Sequence, residues 1–465
     1  MIEKRSIILI GLIMILFFLA AGEFQVAFPQ ASAPKDTLYF VPHTHWEGAV
    51  FITREDYLQS GLVNIARALN MLKTYPNYKF TLDQVAYFKP FLERYPEEEA
   101  SFRKFIAEGR LQLVGGMDNM PDDNMPPGEL FVRNMLYGKG YCHDKLGVDI
   151  TTAWLLDTFG HNAQMPQLLK LAGFNSFWFF RGVSSLDVPS EFFWEGLDGT
   201  KISAFWLPAG YGLFYGSPGT FPEFSDFLKS RFALLTPFSR GPNRVGLAGA
   251  DVSVPEEHIP AFVEEFNKKK DAPFIVKLAV PSDFEAVVAK RNDLPTIKGE
   301  LNPIFQGIYS SRIEVKQWTR NLTRILTMAE KLGALSNWLG TITDEAMLWR
   351  AWEPTIFNQT HDLASGVMSD RVYEDSIRGF EFSQALGNEM VDTGFETLVS
   401  RIDTRGEGIP IIVFNSLGWP RTDITETDLF FSDSGVRAIS LLDPDGKNVP
   451  VQTLDTIRSG DGSLK

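Results

Sequence analysis

Cysteine is almost absent from this chain, which has a single residue, Cys142, among its 465. One thiol excludes both an intramolecular disulfide framework and a cysteine-rich metal site. A metal ion in this protein would therefore need histidine and carboxylate ligands. Histidine is scarce as well, with six residues in all, so two of them in one short segment are informative.

Positive charge is in deficit. Lysine and arginine together number 44 against 58 acidic residues, which gives a formal net charge of −14. The chain has no basic stripe to meet phosphates, so we expect no nucleic-acid partner and favour a neutral substrate. The hydrophobic content of 44% and the aromatic content of 13% are typical of a densely packed globular protein.

Long apolar runs are missing except at the N-terminus, where Lys4 and Arg5 precede an unbroken stretch from Ile7 to Ala21. This stretch is long for the core of a signal peptide and short for a membrane span. We predict that residues 1–33 are a targeting segment with its linker, either a cleaved signal peptide or an N-terminal membrane anchor. Both interpretations predict export to the periplasm or the extracellular space.

Between residues 37 and 300 the pattern alternates short β-prone runs with amphipathic helical stretches. Repeated strand–helix units with apolar strands indicate a parallel sheet covered by helices, and seven or eight units favour closure into a (β/α) barrel. This α/β domain is the predicted catalytic domain. Its predicted strands are residues 37–42, 79–82, 110–114, 151–156, 177–180, 201–207, 244–248 and 274–278.

The pattern changes twice after this domain. Residues 301–403 are almost wholly helical in pattern, with breaks near Gly333 and around residues 354–366, which predicts a helical bundle that completes the active site. Residues 404–465 begin a β-rich, sandwich-like region with a first strand at residues 410–414. This last region is too short for a complete sandwich, and we expect it to be incomplete.

Two histidines and a carboxylate directly follow the first predicted strand, in the segment His43-Thr44-His45-Trp46-Glu47. Imidazole and carboxylate groups are ligands that zinc prefers, and the ends of barrel strands direct side chains into one pocket. The H-x-H pattern alone is only moderately specific, because it occurs in several classes of metallohydrolase. The alternative interpretation is that these are surface or packing histidines.

Three further segments carry candidate groups. Asp157 ends the strand at 151–156, although an Asp there could instead cap the next helix. His361 lies in the break between bundle helices and would complete a four-ligand set of His45, Glu47, Asp157 and His361. Asp251 ends the strand at 244–248 and lies apart from that set. A carboxylate beside a cation stays ionised as a nucleophile, while a second one can keep its proton and act as an acid, as retaining glycoside hydrolysis requires.

With these segments in this order, the chain resembles glycoside hydrolase family 38, the class II α-mannosidases. The segment at 43–47 is similar to the family's H-x-H-x-D, the segment Asp157-Thr158-Phe159-Gly160-His161 to its D-x-F-G-H, and His361-Asp362 to its late H-D. Gly249-Ala250-Asp251 resembles the family's acid-bearing strand end, and residues 307–312 are also similar to a family segment.

The resemblance implies a zinc-dependent, retaining exo-α-glycosidase, an α-mannosidase, that removes terminal mannose from oligosaccharides or glycoprotein glycans. One Zn²⁺, or another divalent ion, would bind His45, Glu47, Asp157 and His361. Asp157 would also be the nucleophile and Asp251 the general acid/base. The resemblance further implies substrate contacts from Arg181, Asp362 and Tyr309, although Arg181 could instead form a structural ion pair.

The chain departs from the family at Glu47, where the family has Asp, and at Val50, where the family often has a tryptophan that forms a wall for the sugar. Family members also continue further at the C-terminus, which predicts that this chain is truncated or a fragment. Two alternatives therefore stay open. One is a barrel metallohydrolase of the polysaccharide deacetylase or amidohydrolase type, and the other is a catalytically impaired, sugar-binding descendant.

Overall fold

The computed structural model describes residues 36–302, 305–432, 435–457 and 463. The predicted export segment, residues 1–33, lies outside the described residues. The chain divides into two compact units, the first ending at Arg401 and the second beginning at Ile402. Every candidate site residue belongs to the first unit.

Eight of the described strands of the first unit occur where the apolar runs predict them, and two, β6 and β10, were not predicted. In chain order the strands are β1 (Asp36–Pro42), β2 (Phe80–Leu82), β3 (Leu111–Leu113), β4 (Thr152–Leu155), β5 (Ser176–Phe179), β6 (Glu191–Glu195), β7 (Lys201–Trp206), β8 (Asn243–Ala248), β9 (Phe274–Leu278) and β10 (Thr296–Lys298). A five-stranded sheet has the order β10-β6-β7-β5-β4, a three-stranded sheet has the order β8-β1-β9, and β2 pairs with β3.

The α/β class is confirmed, whereas a single closed barrel is not, because the described strands form separate small sheets. Short contacts link these sheets, among them a bridge between His43 and Thr81 and a hydrogen bond of 2.9 Å from the Gly115 N–H to the Thr152 carbonyl. The strand β6, which the sequence pattern did not predict, pairs antiparallel with β7. It interrupts the parallel order that a regular (β/α) barrel requires.

The helices of the α/β part cover the sheets, and their apolar faces are buried in more than one hydrophobic cluster. Helix α1 (Arg54–Thr74) begins where its sequence predicts, because the Thr53 side chain caps it by accepting from the Asp56 N–H. These helices are α1 (Arg54–Thr74), α2 (Val85–Arg94), α3 (Glu99–Ala107), α4 (Gly128–Tyr141), α5 (Met165–Leu171), α6 (Phe221–Leu235), α7 (Ile259–Lys268) and α8 (Pro281–Val288). Short 3₁₀ or π turns occur at Pro96–Glu98, Cys142–Leu146, Thr236–Phe238 and Gln306–Ser310.

The predicted helical bundle is present. It consists of α9 (Ile313–Trp338), α10 (Glu345–Phe357), the short α11 (His361–Ser365) and α12 (Asp370–Val399). The predicted break at Gly333 is wrong: this glycine is buried inside α9, and the helix continues to Trp338. A Cβ at this position would lie 3.5 Å from the Thr343 side chain, which is an ordinary van der Waals contact, so the structure does not require a glycine here. No helix in the described part of the chain has both the length and the apolar character to cross a bilayer.

The second unit contains one described hairpin, formed by β11 (Leu441–Leu442) and β12 (Asn448–Val449). The Asp443 carboxylate accepts from the N–H groups of Asp445 and Lys447 at 2.9 Å and so stabilises the turn between them. The strand predicted at residues 410–414 is wrong, since these residues have no regular secondary structure. An apolar run becomes a strand only where another strand lies beside it, and here the tight turn provides one only for β11.

Candidate metal centre and active site

Four side chains from distant parts of the sequence converge in the first unit. One ligand atom from each of His45, Glu47, Asp157 and His361 lies within 4.8 Å of every other, and all four residues are buried. The nearest measured pairs are His361 Nε2 to Asp157 Oδ2, at 3.5 Å, and His45 Nε2 to Glu47 Oε1, at 3.9 Å. The convergence that the sequence predicts is therefore present.

Strands β1 and β8 place His45 beside Asp251. The two strands run parallel, and their pairing continues past their ends through a bridge between His45 and Asp251. The His45 N–H donates to the Ala250 carbonyl at 3.1 Å, and the Val252 N–H donates to the His45 carbonyl at 2.7 Å. Asp251 is exposed, whereas His45 is buried. A buried imidazole and an exposed carboxyl group thus lie next to each other.

Strands β4 and β5 place Asp157 and Arg181 at matching positions. Leu155 pairs with Phe179 in this parallel ladder, and the two charged residues each follow two positions later. The Arg181 Nε–H donates to Asp157 Oδ1 at 2.6 Å and to the Asp157 carbonyl at 3.1 Å. Arg181 therefore forms an ion pair with the predicted nucleophile, and a role in binding substrate stays a prediction.

His361 comes from the helical bundle rather than from a strand. Its N–H and its Nδ1 both approach the Met120 carbonyl, at 3.0 and 3.1 Å. An Nδ1–H donated to a backbone carbonyl fixes the tautomer that leaves Nε2 free to bind a metal ion. The Nε2 atom faces the carboxylates of Asp157 and, at 3.7 Å, of Asp362.

The pKa values in the cluster reflect burial and a group of closely packed acidic side chains around His361. Burial raises the pKa of Glu47 to about 10, and burial lowers the pKa of His45 to about 4. Burial alone would lower the pKa of His361, but Asp362, Asp157 and Glu47 outweigh it and raise this pKa to about 10.

Asp157 shows the opposite balance to Glu47. Burial disfavours its charge, yet His361, His45 and Arg181 lower its pKa to about 2. This carboxyl is therefore ionised at neutral pH, as a nucleophile must be.

The four side chains fit a divalent cation. Among the described residues, neither ring nitrogen of His45 has a hydrogen-bond partner, and His361 Nε2 has none either. Buried polar atoms are normally satisfied, so unpartnered nitrogens that face carboxylates point to a cation as their partner. Two imidazoles and two carboxylates also match the ligand types of zinc.

The remaining predicted residues lie at different places around the cluster. Asp362 is buried beside His361, and burial raises its pKa. The Tyr309 hydroxyl accepts from Asn124 Nδ2 at 3.1 Å, and the structure gives Tyr309 no contact with the four-residue cluster. Val50 is 2% exposed and cannot form a wall for a ligand, whereas Phe51 is 76% exposed.

Tyr211 is a further residue of the site that the sequence did not predict. Its hydroxyl donates to Asp251 Oδ1 at 2.8 Å, its ring lies 5.2 Å from that of His45, and its carbonyl accepts from His43 Nε2 at 3.1 Å. His43 therefore supports the site from outside the ligand cluster. The available signal was the position of Tyr211 between Gly210 and Gly212, in the loop after β7.

The chain matches two family models. The model described as the glycosyl hydrolases family 38 N-terminal domain matches residues 35–301, more than half of the chain. The model described as the alpha mannosidase middle domain matches residues 303–398. Together they cover the α/β part and the helical bundle.

Individual proteins show the same similarity. Alpha-mannosidase 2C1 of Mus musculus is 26% identical over 400 residues, which cover 84% of this chain and 37% of that protein. The putative mannosylglycerate hydrolase of Halalkalibacterium halodurans is 24% identical, and the match covers 45% of that protein's length. The crystal structure of an alpha-mannosidase from Enterococcus faecalis V583 superposes with a TM-score of 0.75 at 25% identity, over 79% of this chain and 43% of that one. The chain thus spans less than half the length of each of these three relatives.

Proposed function

Since this chain belongs to glycoside hydrolase family 38, we propose that it is a metal-dependent, retaining exo-α-glycosidase that removes terminal α-linked mannose from glycans. The convergence of His45, Glu47, Asp157 and His361, with Asp251 alongside, is the single observation that supports this proposal most. Several of the family's relatives carry the name alpha-mannosidase, which supports mannose as the sugar.

Asp157 is the proposed nucleophile. Its Oδ1 is held by Arg181, and the low pKa keeps the carboxylate ionised for attack on the anomeric carbon. The attack forms a covalent glycosyl-enzyme intermediate, which water then hydrolyses.

Asp251 is the proposed general acid/base. It is exposed and so accessible to a leaving-group oxygen, and the Tyr211 hydroxyl orients its carboxyl by a hydrogen bond to Oδ1. The carboxyl would protonate the departing oxygen in the first step and take a proton from water in the second.

His45, Glu47, Asp157 and His361 would hold the cation, which we propose to be a single Zn²⁺. When bound, this ion would bind sugar hydroxyls and so help to distort the sugar ring toward the shape of its oxocarbenium-like transition state. Asp362, next to these ligands, is proposed to accept a hydrogen bond from the sugar. Tyr309 is proposed to contact the substrate from the rim through its hydroxyl.

The proposed partner is a glycan. The surface of the protein that would pack against its terminal sugar differs from the family pattern at Val50. Val50 is buried and its side chain has no planar face, so it cannot stack on the sugar. Export to the periplasm or the extracellular space is part of the proposal, supported by the basic and apolar pattern of residues 4–21.

The first test is turnover of an aryl α-mannoside by the purified chain, with its bound metal measured by mass spectrometry and the configuration of the first product by NMR. We expect about one zinc per chain, an α-configured first product, and a loss of more than about 1,000-fold in kcat for Asp157→Asn. Asp226→Asn makes the same change on the exposed face of α6 and should keep wild-type activity. A β-configured first product, or an Asp157→Asn variant that retains its activity, would refute the proposal.

A further inference from the structure

A buried amide side chain connects two segments that carry candidate metal ligands. Gln84, which lies between β2 and α2, is 3% exposed. Its Nε2 donates to the Trp46 carbonyl at 2.7 Å, and its Oε1 accepts from the Met120 N–H at 2.9 Å. Both ends of one amide are therefore used to bridge two loops.

The two loops are those that set the positions of three ligands. Trp46 lies between His45 and Glu47 in the sequence, and the Met120 carbonyl is the hydrogen-bond partner of His361. A continuous hydrogen-bonded chain thus runs from His361, through Met120 and Gln84, to the backbone between the other two ligands. It joins the helical bundle to the end of β1 without touching the ligand atoms themselves.

The backbone of Gln84 is in a conformation that side chains rarely adopt. Its φ is 60°, in the left-handed region where glycine would be expected. The next two residues fix this geometry, because the Val85 N–H donates to the Met117 carbonyl at 3.2 Å and the Ala86 N–H to the Asp118 carbonyl at 2.7 Å. A non-glycine residue in such a conformation persists where its side chain has a specific use, which at Gln84 is the two-sided bridge.

We propose that Gln84 is a positioning residue of the metal centre, which holds His361 in register with His45 and Glu47. The inference rests on the proposed function only in that the four-residue cluster binds a divalent cation. Glutamine fits this role because one side chain must donate at Trp46 and accept at Met120, and an ionised carboxylate or an apolar side chain cannot do both. Partners outside the ligand set that orient ligands in this way control metal affinity.

The test replaces Gln84 by methionine, which keeps the length and removes both hydrogen bonds. The dissociation constant of Zn²⁺ is measured on the full chain by competition with a chelator, together with the melting temperature of the metal-free protein. We expect zinc to bind about 10- to 100-fold more weakly. Gln112→Met is the matched control, because the Gln112 amide also bridges two segments, Thr152 and Ser282, but contacts neither Met120 nor the loop of His45.

The absorption spectrum of the Co²⁺-loaded protein reports the geometry of the bound ion, so it distinguishes a positioning role of Gln84 from a purely structural one. We expect Gln84→Met to change this spectrum and Gln112→Met to leave it as in the wild type. Wild-type zinc affinity in Gln84→Met, or equal losses in both variants with unchanged spectra, would overturn the inference.

A second variant covers the case in which Gln84→Met does not fold. Gln84→Glu has nearly the same shape and keeps the acceptor for the Met120 N–H, so we expect an intermediate loss of zinc affinity, and wild-type affinity would overturn the inference. Wild-type protein that binds zinc but does not cleave mannosides would refute the proposed activity alone. Wild-type protein without any affinity for zinc would refute the metal centre itself, and with it the positioning role of Gln84.

Discussion

At the scale of single residues, two carboxyl groups of the site differ in their surroundings. Asp157 is buried and held by Arg181 and His361, whereas Asp251 is exposed and meets the Tyr211 hydroxyl. The same functional group can thus serve as a nucleophile in one place and as a proton donor in the other. Glu47 is one methylene longer than the aspartate that the family has, yet its carboxylate still lies among the ligand atoms.

The roles of the two carboxyl groups predict a difference between substrates for Asp251→Asn. We expect kcat/KM to fall about 10²- to 10⁴-fold on a mannoside with an alcohol leaving group, because its oxygen needs a proton as it departs. An activated phenol needs little protonation, so its glycosylation step should be nearly unchanged. The measurement is kcat/KM on both substrates, with Asp226→Asn as the control, and equal losses on the two would contradict the assignment of Asp251.

At the scale of elements, the closeness of β1 and β8 determines how near His45 stands to Asp251. A Cβ added at Gly249 would lie 2.1 Å from the His43 carbonyl oxygen and 2.6 Å from its carbon. The two strand ends can approach as they do only because position 249 has no side chain.

We predict that Gly249→Ala forces these strand ends apart. The backbone must shift, so the free energy of unfolding should fall by about 1–3 kcal/mol, and kcat/KM should fall as His45 and Asp251 separate. Chemical denaturation and turnover of an aryl mannoside check both effects. Gly219→Ala, at a position where a Cβ would meet nothing within 4 Å, should change neither. A Gly249→Ala variant as stable as the wild type would show that this contact does not constrain the strands.

The sequence predicted most elements of the first unit because short apolar runs bounded by turns carry a local signal. The residues at the ends of those runs, such as Asp157 and Asp251, were predicted for the same reason. Long-range pairing has no such signal, so the antiparallel β6, the separate sheets and the contact of Tyr211 with Asp251 could not be predicted. Gly333 shows the converse error, since a glycine inside a long helix has the same sequence signature as one that ends a helix.

At the scale of the whole molecule, a charged group of the bundle acts on a buried acidic group of the α/β part. Asp118, after β3, is 3% exposed, and its Oδ2 has no hydrogen-bond partner among the described residues. Burial, and then the charge of Glu353 from α10, raise the pKa of Asp118 to about 7. A carboxyl group with a raised pKa in the folded state destabilises the protein as pH rises from its unfolded pKa, near 4, through its folded one.

We therefore predict that Asp118→Asn stabilises the protein at pH 8 more than at pH 5. The difference in the free energy of unfolding between variant and wild type should grow by about 2–3 kcal/mol over this interval, since one pKa unit corresponds to about 1.4 kcal/mol. Denaturation curves of both proteins at the two pH values provide the measurement. A pH-independent difference for Asp118→Asn would mean that this carboxyl is already ionised in the folded state at pH 5.

The contribution of His361 from the bundle has a consequence for modularity. The two family models meet near residue 302, yet the boundary between them does not divide the chain into an independent catalyst and an accessory part. Excising the α/β part would leave three of the four candidate ligands without the imidazole that faces them, and the Met120 carbonyl without its histidine. Any transplantation of this chemistry to another scaffold must therefore carry both parts together.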